Sequence, residues 1–213
     1  MLRTAAHKAM TESLPDAWPP RGSETAQAPL FPLPGVFLFP GTLLPLHVFE
    51  PRYRQMVNDL LDQRGWLVIS AIQAGHEDDA PGSPPFYNVG GLGEIAGHNH
   101  LDDGRFLVTL HGIKRVRIKE VESDKPYRIV EYEGLQESQP TGERAVSLTL
   151  ALREAIMERA EEELEIPMDA PMAPLADLLL HFLKLPAEEM QAAFAEPDAG
   201  RRAHIALAKH IAD

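Results

Sequence analysis

The 213-residue sequence contains no cysteine, which excludes disulfides, thiolate zinc sites and a cysteine nucleophile together. It also lacks a long apolar run: prolines and charges interrupt every candidate before the roughly eighteen residues that a membrane span needs. Basic residues are in short supply, with 20 Lys and Arg against 32 Asp and Glu and a formal net charge of −12. Such a balance repels polyanions, so nucleic acid and anionic membrane are disfavoured as partners. No apolar stretch separates Arg3 and Lys8 from Glu12 and Asp16, so a secretory signal is not expected and a cytoplasmic location is the default. What remains, 44% hydrophobic and 24% charged, is the composition of a globular chain able to bury a sizeable core.

Proline, in contrast, is concentrated where it is most informative. The stretch PLFPLPGVFLFPGTLLPLHVFEPRYRQMVNDLL, Pro29 to Leu61, sets prolines among large apolar residues before turning into a polar helical pattern. Each proline fixes φ and removes a backbone donor, so neither a long helix nor an interior strand fits. Short extended pieces, Val36 to Phe39 and Leu43 to Val48 among them, are expected between bends at Pro32, Pro34, Pro40, Gly41 and Pro45. Pro51 suits the first helical position, and Tyr53, Met56, Val57, Leu60 and Leu61 recur at helical spacing, which predicts a helix from about Pro51 to Asp62.

Strands are predicted at Trp66 to Gln73, Val89 to His100, Arg105 to Lys119 and Tyr127 to Leu135, with an acidic, Pro-rich loop from Gly75 to Pro85. Phe106, Val108 and Leu110 alternate with Leu107, Thr109 and His111, and Gly112 marks a bulge or tight bend. Beyond Pro140 the period becomes helical. Val146, Leu150, Arg153, Met157, Ala160 and Leu164 trace one side of a helix from about Gly142 to Glu165, with Glu158, Glu161, Glu162 and Glu165 crowding the rest. Shorter helices are predicted at Pro174 to Leu183, Ala187 to Ala195 and Asp198 to Ile211. Strands first and helices afterwards make an α+β chain. Its expected organisation is a poorly ordered leader over residues 1–28, with Trp18 its one large apolar group, a β subdomain over 29–140 and an α-helical subdomain over 141–213.

Two long segments in order, LPLHVFEPRYRQMV at Leu44 to Val57 and VGGLGEIAGHNHLDDGRFLVTLHGIKRVRI at Val89 to Ile118, resemble the N-terminal substrate-binding domain of Lon proteases, a family that includes stand-alone bacterial proteins and one domain of cereblon. The resemblance implies a PUA-like pseudo-β-barrel with one helix followed by a helical bundle, and a role in binding polypeptides without catalysis. Pro40, Gly41, Pro45, Glu50, Arg52, Tyr53, Gly104, Arg105, Gly112 and Arg115 carry its motifs. The catalytic parts of full-length Lon have no counterpart here. No G-x-x-x-x-G-K-S/T motif occurs, and no serine follows Ser147. The expected partners are therefore unfolded or tagged polypeptides, with a protease or chaperone as a further one, and no cofactor is expected.

The candidate sites each have a plainer reading. Glu50 at the edge of an apolar cluster is expected to pair internally, with Arg105 or Arg115, or to accept backbone donors. His98 and His100 supply two ligands where a structural metal site takes four, and read as exposed strand residues. Lys114, Arg115, Arg117 and Lys119 form the one basic cluster and motivate the alternative of an RNA-binding PUA-like domain, although Glu120, Glu122 and Asp124 follow at once. Gly90, Gly91, Gly93 and Gly97 lack the helix start and lysine of a phosphate loop. Phe86 and Tyr87, two aromatics in a Pro-rich loop, are the candidate peptide-binding residues.

Overall fold

A computed structural model describes residues 26–79, 82–160 and 164–212. Trp18 and the acidic run Glu161–Glu163 lie outside the described residues. Contacts divide the chain into two units, one of residues up to Ile72 together with His76–Gly134, the other of Gln73–Gly75 and Leu135–Asp213.

Among the described residues the first unit is a mixed six-stranded sheet in the order β2-β5-β4-β3-β1-β6 with one α-helix. The strands are β1 (Ala26–Leu33), β2 (Leu43–Val48), β3 (Trp66–Ala71), β4 (Val89–His100), β5 (Phe106–Val121) and β6 (Ile129–Gly134); helix α1 (Pro51–Leu61) follows β2. The sheet curls so far that β6 also pairs with β5, from Val116↔Gly134 to Val121↔Ile129. The curl is not a continuous barrel, because β1 divides its partners: Ala26 to Pro29 ladder antiparallel with β6, and Leu30 to Leu33 parallel with β3. This handover corrects the expectation that Pro29 and Pro32 exclude an interior strand. Each proline lies where β1 is laddered on one side alone, so its missing donor can face the unpaired side. Strand β1 also begins at Ala26, inside the segment expected to be leader.

The piece Val36 to Phe39 forms no strand and joins no ladder. Leu38 and Phe39 are buried, and they lie across glycines of the neighbouring strands. A Cβ at Gly91 would stand 2.2 Å from the Leu38 carbonyl oxygen, so β4 needs a bare backbone there. Strand β5 runs through Gly112 with a register shift against β4, where Ile113 has no partner between Gly112 and Lys114. Before this bulge Phe106, Val108 and Leu110 join the cluster built around Tyr53, Met56 and Leu60 of α1. After it Val116 and Ile118 join a second cluster with Leu30, Val68, Leu92 and Val130. Both faces of β3 are thereby buried, Leu67 and Ile69 in the first cluster and Val68 in the second.

The second unit is helical: α2 (Glu143–Arg159), α3 (Met172–Phe182), α4 (Ala187–Phe194) and α5 (Ala199–Ala212). Helix α2 ends at Arg159, short of the expected Glu165, and it buries Leu148, Leu152, Ala155 and Ile156. The side read from the sequence is the exposed one: Val146, Leu150 and Met157 are all open to solvent. Both sets keep helical spacing, and period alone does not say which of two apolar stripes faces the core. Helix α5 presents Ala199, Gly200, Ala203 and Ala206 inward, small residues that allow close approach. Among them Arg202, fully buried, donates from Nε to Asp177 on α3 at 2.8 Å, from Nη2 to Glu137 at 2.8 Å and from Nη1 to the Glu196 carbonyl at 2.7 Å.

Candidate functional site

The structure places the motif residues within the first unit. Pro40 and Gly41 make the turn into β2: the Gly41 amide donates to the Gly112 carbonyl at 2.8 Å, and the Gly112 amide returns a bond to Thr42 at 2.9 Å. Tyr53 is buried on Phe31, ring centroids 4.2 Å apart, and burial pushes its hydroxyl pKa upward. Glu50 does not pair with Arg105 or Arg115, as the sequence reading expected. Its carboxylate accepts from Arg52 at 3.1 Å, two residues away, and its carbonyl takes the amides of Tyr53 and Arg54 to start α1. Arg105 instead is held by Asp103, whose carboxylate accepts both its backbone amide, at 3.1 Å, and its Nε, at 2.7 Å. Those bonds hold the Asp103 pKa down at about 2. Gly104, at φ +81°, lets this turn close against the Arg54 guanidinium. Arg115 is fully buried, its guanidinium 5.6 Å from the centre of the Phe39 ring.

Phe86 and Tyr87 are half-buried rather than displayed. Phe86 bridges to Ile72, packs against the second cluster and lies 4.5 Å beneath the Arg128 guanidinium. The Tyr87 amide donates to Ala71 and its carbonyl accepts from the Ser70 hydroxyl at 2.7 Å. Two arginines from distant segments strap this loop down, a contact with no local signature: Arg52 donates to the Gly82 carbonyl and Arg128 to the Pro84 carbonyl, each at 2.6 Å. Beside the strap is an open polar cleft of about 740 Å³ lined by Arg52, Ser83, Glu120, Lys125 and Arg128 among others. Its cations are already engaged, Arg128 with both oxygens of Glu120 at 2.6 Å and Lys125 with Asp59 at 2.8 Å, so it is not a prepared anion site.

The basic cluster does not form a continuous stripe. Arg115 is interior, Arg117 pairs with Glu133 at 3.5 Å, Lys119 faces Glu131 across the β5–β6 ladder, and partial burial lowers the Lys114 pKa. His98 and His100 are both exposed, and the His100 ring stacks on Phe106 at 4.5 Å. Among the described residues no group of three His, Asp or Glu side chains is placed to hold a metal ion. Among them, too, no helix is long and apolar enough to cross a membrane.

The surface that sequence reasoning missed is apolar. Phe49 is 59% exposed and Leu107 45% exposed. Leu107 stands opposite His47 in the β2–β5 ladder, and the His47 ring lies 5.9 Å from that of Phe49. Pro45, also exposed, is the next outward residue along β2. The signal was present: Leu107 occupies the outward phase of an alternation whose inward phase is Phe106, Val108 and Leu110.

Comparison with known proteins places this architecture. Residues 27–208 match the family described as the ATP-dependent protease La (LON) substrate-binding domain. Lon protease 2 of Sorangium cellulosum is 30% identical over 144 residues, which are 68% of this chain and 18% of that protein. Lon protease 2 of Myxococcus xanthus is 25% identical over 192 residues, 84% of this chain and 23% of that protein. The chain thus spans about a fifth of the length of these curated relatives. Two solved structures share its fold: a Lon N-terminal domain protein from Xanthomonas campestris (TM-score 0.61, 23% identity, 86% of this chain and 98% of that one) and the N-terminal domain of the Mycobacterium avium complex Lon protease (TM-score 0.65, 14% identity, 87% and 98%). With a match running from β1 into α5, the chain belongs to the Lon substrate-binding domain family.

Proposed function

We propose that this chain is a non-catalytic polypeptide-binding module that captures unfolded or tagged polypeptides in the cytoplasm, with a protease or chaperone as its further partner. The observation that carries the reading is the pair Phe49 and Leu107, large apolar side chains left open on either side of His47 in a chain of net charge −12. Completing the burial of two half-exposed side chains of this size is worth about 1 kcal/mol each. Added to a few backbone hydrogen bonds of about 1 kcal/mol each, that comes to about 5 kcal/mol, which supports weak, submillimolar capture and ready release. The cationic side chains near the loop strap are paired with carboxylates or loop carbonyls, which leaves the RNA alternative without a supporting surface.

The test is binding of reduced, carboxymethylated α-lactalbumin, a permanently unfolded probe, against native α-lactalbumin. Preferential binding of the unfolded form supports the reading. Equal binding of both forms, or unaided hydrolysis of ATP or of casein, overturns it. Phe49→Ser/Leu107→Ser is compared with Phe86→Ala/Tyr87→Ala, the location read from the sequence. Loss confined to the first pair assigns capture to β2 and β5, and loss confined to the second assigns it to the loop after β3.

A further inference from the structure

Resting on the polypeptide-binding reading, the edge of β2, unpaired among the described residues, specifies how a chain is gripped. Strand β2 is outermost in the sheet order, and among the described residues its ladder is with β5 alone. The Thr42 carbonyl accepts from the Gly112 amide, so Thr42 faces β5, and the antiparallel alternation turns Leu44, Leu46 and Val48 the same way. Leu43, Pro45 and His47 therefore aim their backbone groups outward. Proline is tolerated in mid-strand because Pro45 falls in this outward phase and costs the β5 ladder no donor. The edge offers a donor and an acceptor at Leu43, an acceptor alone at Pro45, and a donor and an acceptor at His47.

Exposed edges are ordinarily blunted by charge, proline or shortness; Leu43 to Val48, LLPLHV, carries no acidic or basic residue but a histidine, and its proline removes one outward donor while leaving the acceptors and two donors in place. Both faces beside this edge are apolar. Leu43, Pro45 and Phe49 share one face with Leu107, and Leu44 and Leu46 lie on the other, packed against the first core cluster. A strand laid against the edge would meet apolar side chains above and below at once. A second copy of the chain fits poorly, since antiparallel pairing about a two-fold at Pro45 sets carbonyl against carbonyl with no donor between them. We infer that an extended, uncharged apolar segment of an unfolded polypeptide, roughly five residues long, adds to Leu43–His47 as a further strand of the sheet.

The test uses the full chain and a blocked, fluorescein-labelled peptide, Leu-Thr-Leu-Thr-Leu-Thr-Leu, followed by anisotropy. Two companion peptides carry N-methyl groups on alternate backbone amides, one on each phase. Strand addition requires that methylation of one phase weakens binding at least about 30-fold and that of the other less than about threefold, because alternate amides alone face the edge. His47→Pro, which removes an outward donor and spares the β5 ladder, is expected to weaken binding about tenfold, and Pro45→Val, which supplies the missing donor, to tighten it severalfold. Equal effects of the two methylation phases, a comparison that needs no protein variant, overturn strand addition. If carboxymethylated α-lactalbumin binds and the heptapeptide does not, the edge is overturned and polypeptide binding stands; if neither binds, both fall. A dimer in sedimentation that His47→Pro dissolves would give the edge to a second copy and likewise overturn the proposal.

Discussion

Gly112 lies so close beneath the backbone of Phe39 that a Cβ on it would stand 2.1 Å from the Phe39 carbonyl oxygen. The obstacle is backbone that is itself tied down, since Gly41 and Thr42, just beyond Phe39, are both hydrogen-bonded to Gly112. Gly112→Ala is expected to destabilise the first unit by about 1–3 kcal/mol through overpacking. Gly97, on the exposed part of β4 with nothing within 4 Å of its would-be Cβ, is the control. Gly97→Ala should change stability by less than about 0.5 kcal/mol. Urea unfolding of the two variants checks the contrast, and equal midpoints would contradict the close approach.

Helix α2 allows a sharper test of which apolar stripe is structural. Leu152 is fully buried and Leu150, two residues earlier, is 56% exposed. Leu152→Ala is expected to cost about 2–5 kcal/mol and Leu150→Ala less than about 0.5 kcal/mol, read as shifts in urea midpoint. Similar losses from both would mean that the outward stripe is covered in solution.

The fold was legible where local chemistry had one solution. Pro51 at a helix start, the alternation of Phe106, Val108 and Leu110, and Gly112 at the bulge each led to the observed element. It was illegible where the answer depended on a distant segment. Nothing near Pro29 or Pro32 says that β1 changes partners halfway, nothing in α2 chooses between Leu150 and Leu152, and Arg202 in a small-residue helix gives no sign of Asp177, 25 residues away. The candidate surface divided in the same way. Phe86 read as displayed because its loop is polar, but Arg128 from β6's approach covers it, a contact between residues 42 apart in sequence. Leu107 was readable from its phase alone.

The turn between β4 and β5 carries its own acid sensitivity. Asp103, exposed, has its pKa lowered from 3.8 to about 2, first by the side-chain bond to Arg105 and then by the bond to its amide. A carboxylate depressed in the folded state contributes stability that is full above its ordinary pKa and is lost as pH falls through the folded value. The turn should therefore loosen between about pH 4 and pH 2. A carbon-detected titration of the Asp103 carboxyl should show a midpoint near 2, and Arg105→Ala should return it toward 3.8. A midpoint already ordinary in the unsubstituted chain would contradict the pairing.

In the helical unit, Arg202 and Asp177 form an ion pair with side chains 0% and 5% exposed. Burying two charges is expensive, and the pair persists because the guanidinium fork reaches Glu137 and the Glu196 carbonyl as well, so that each of its three nitrogens has an acceptor. Arg202→Met fills a similar volume but strands Asp177 inside, and is expected to destabilise the unit by about 3–5 kcal/mol. Asp177→Leu on that background removes the stranded charge, while Glu137, 26% exposed, can turn to solvent. The double substitution should therefore recover most of the loss, giving a coupling of about 2 kcal/mol or more in a double-mutant cycle. Arg202→Lys should fall between the two, because a single ammonium cannot span three acceptors held on separate segments. Additive losses in the cycle would show that Arg202 stabilises the bundle through packing of its aliphatic stem and not through the buried pair.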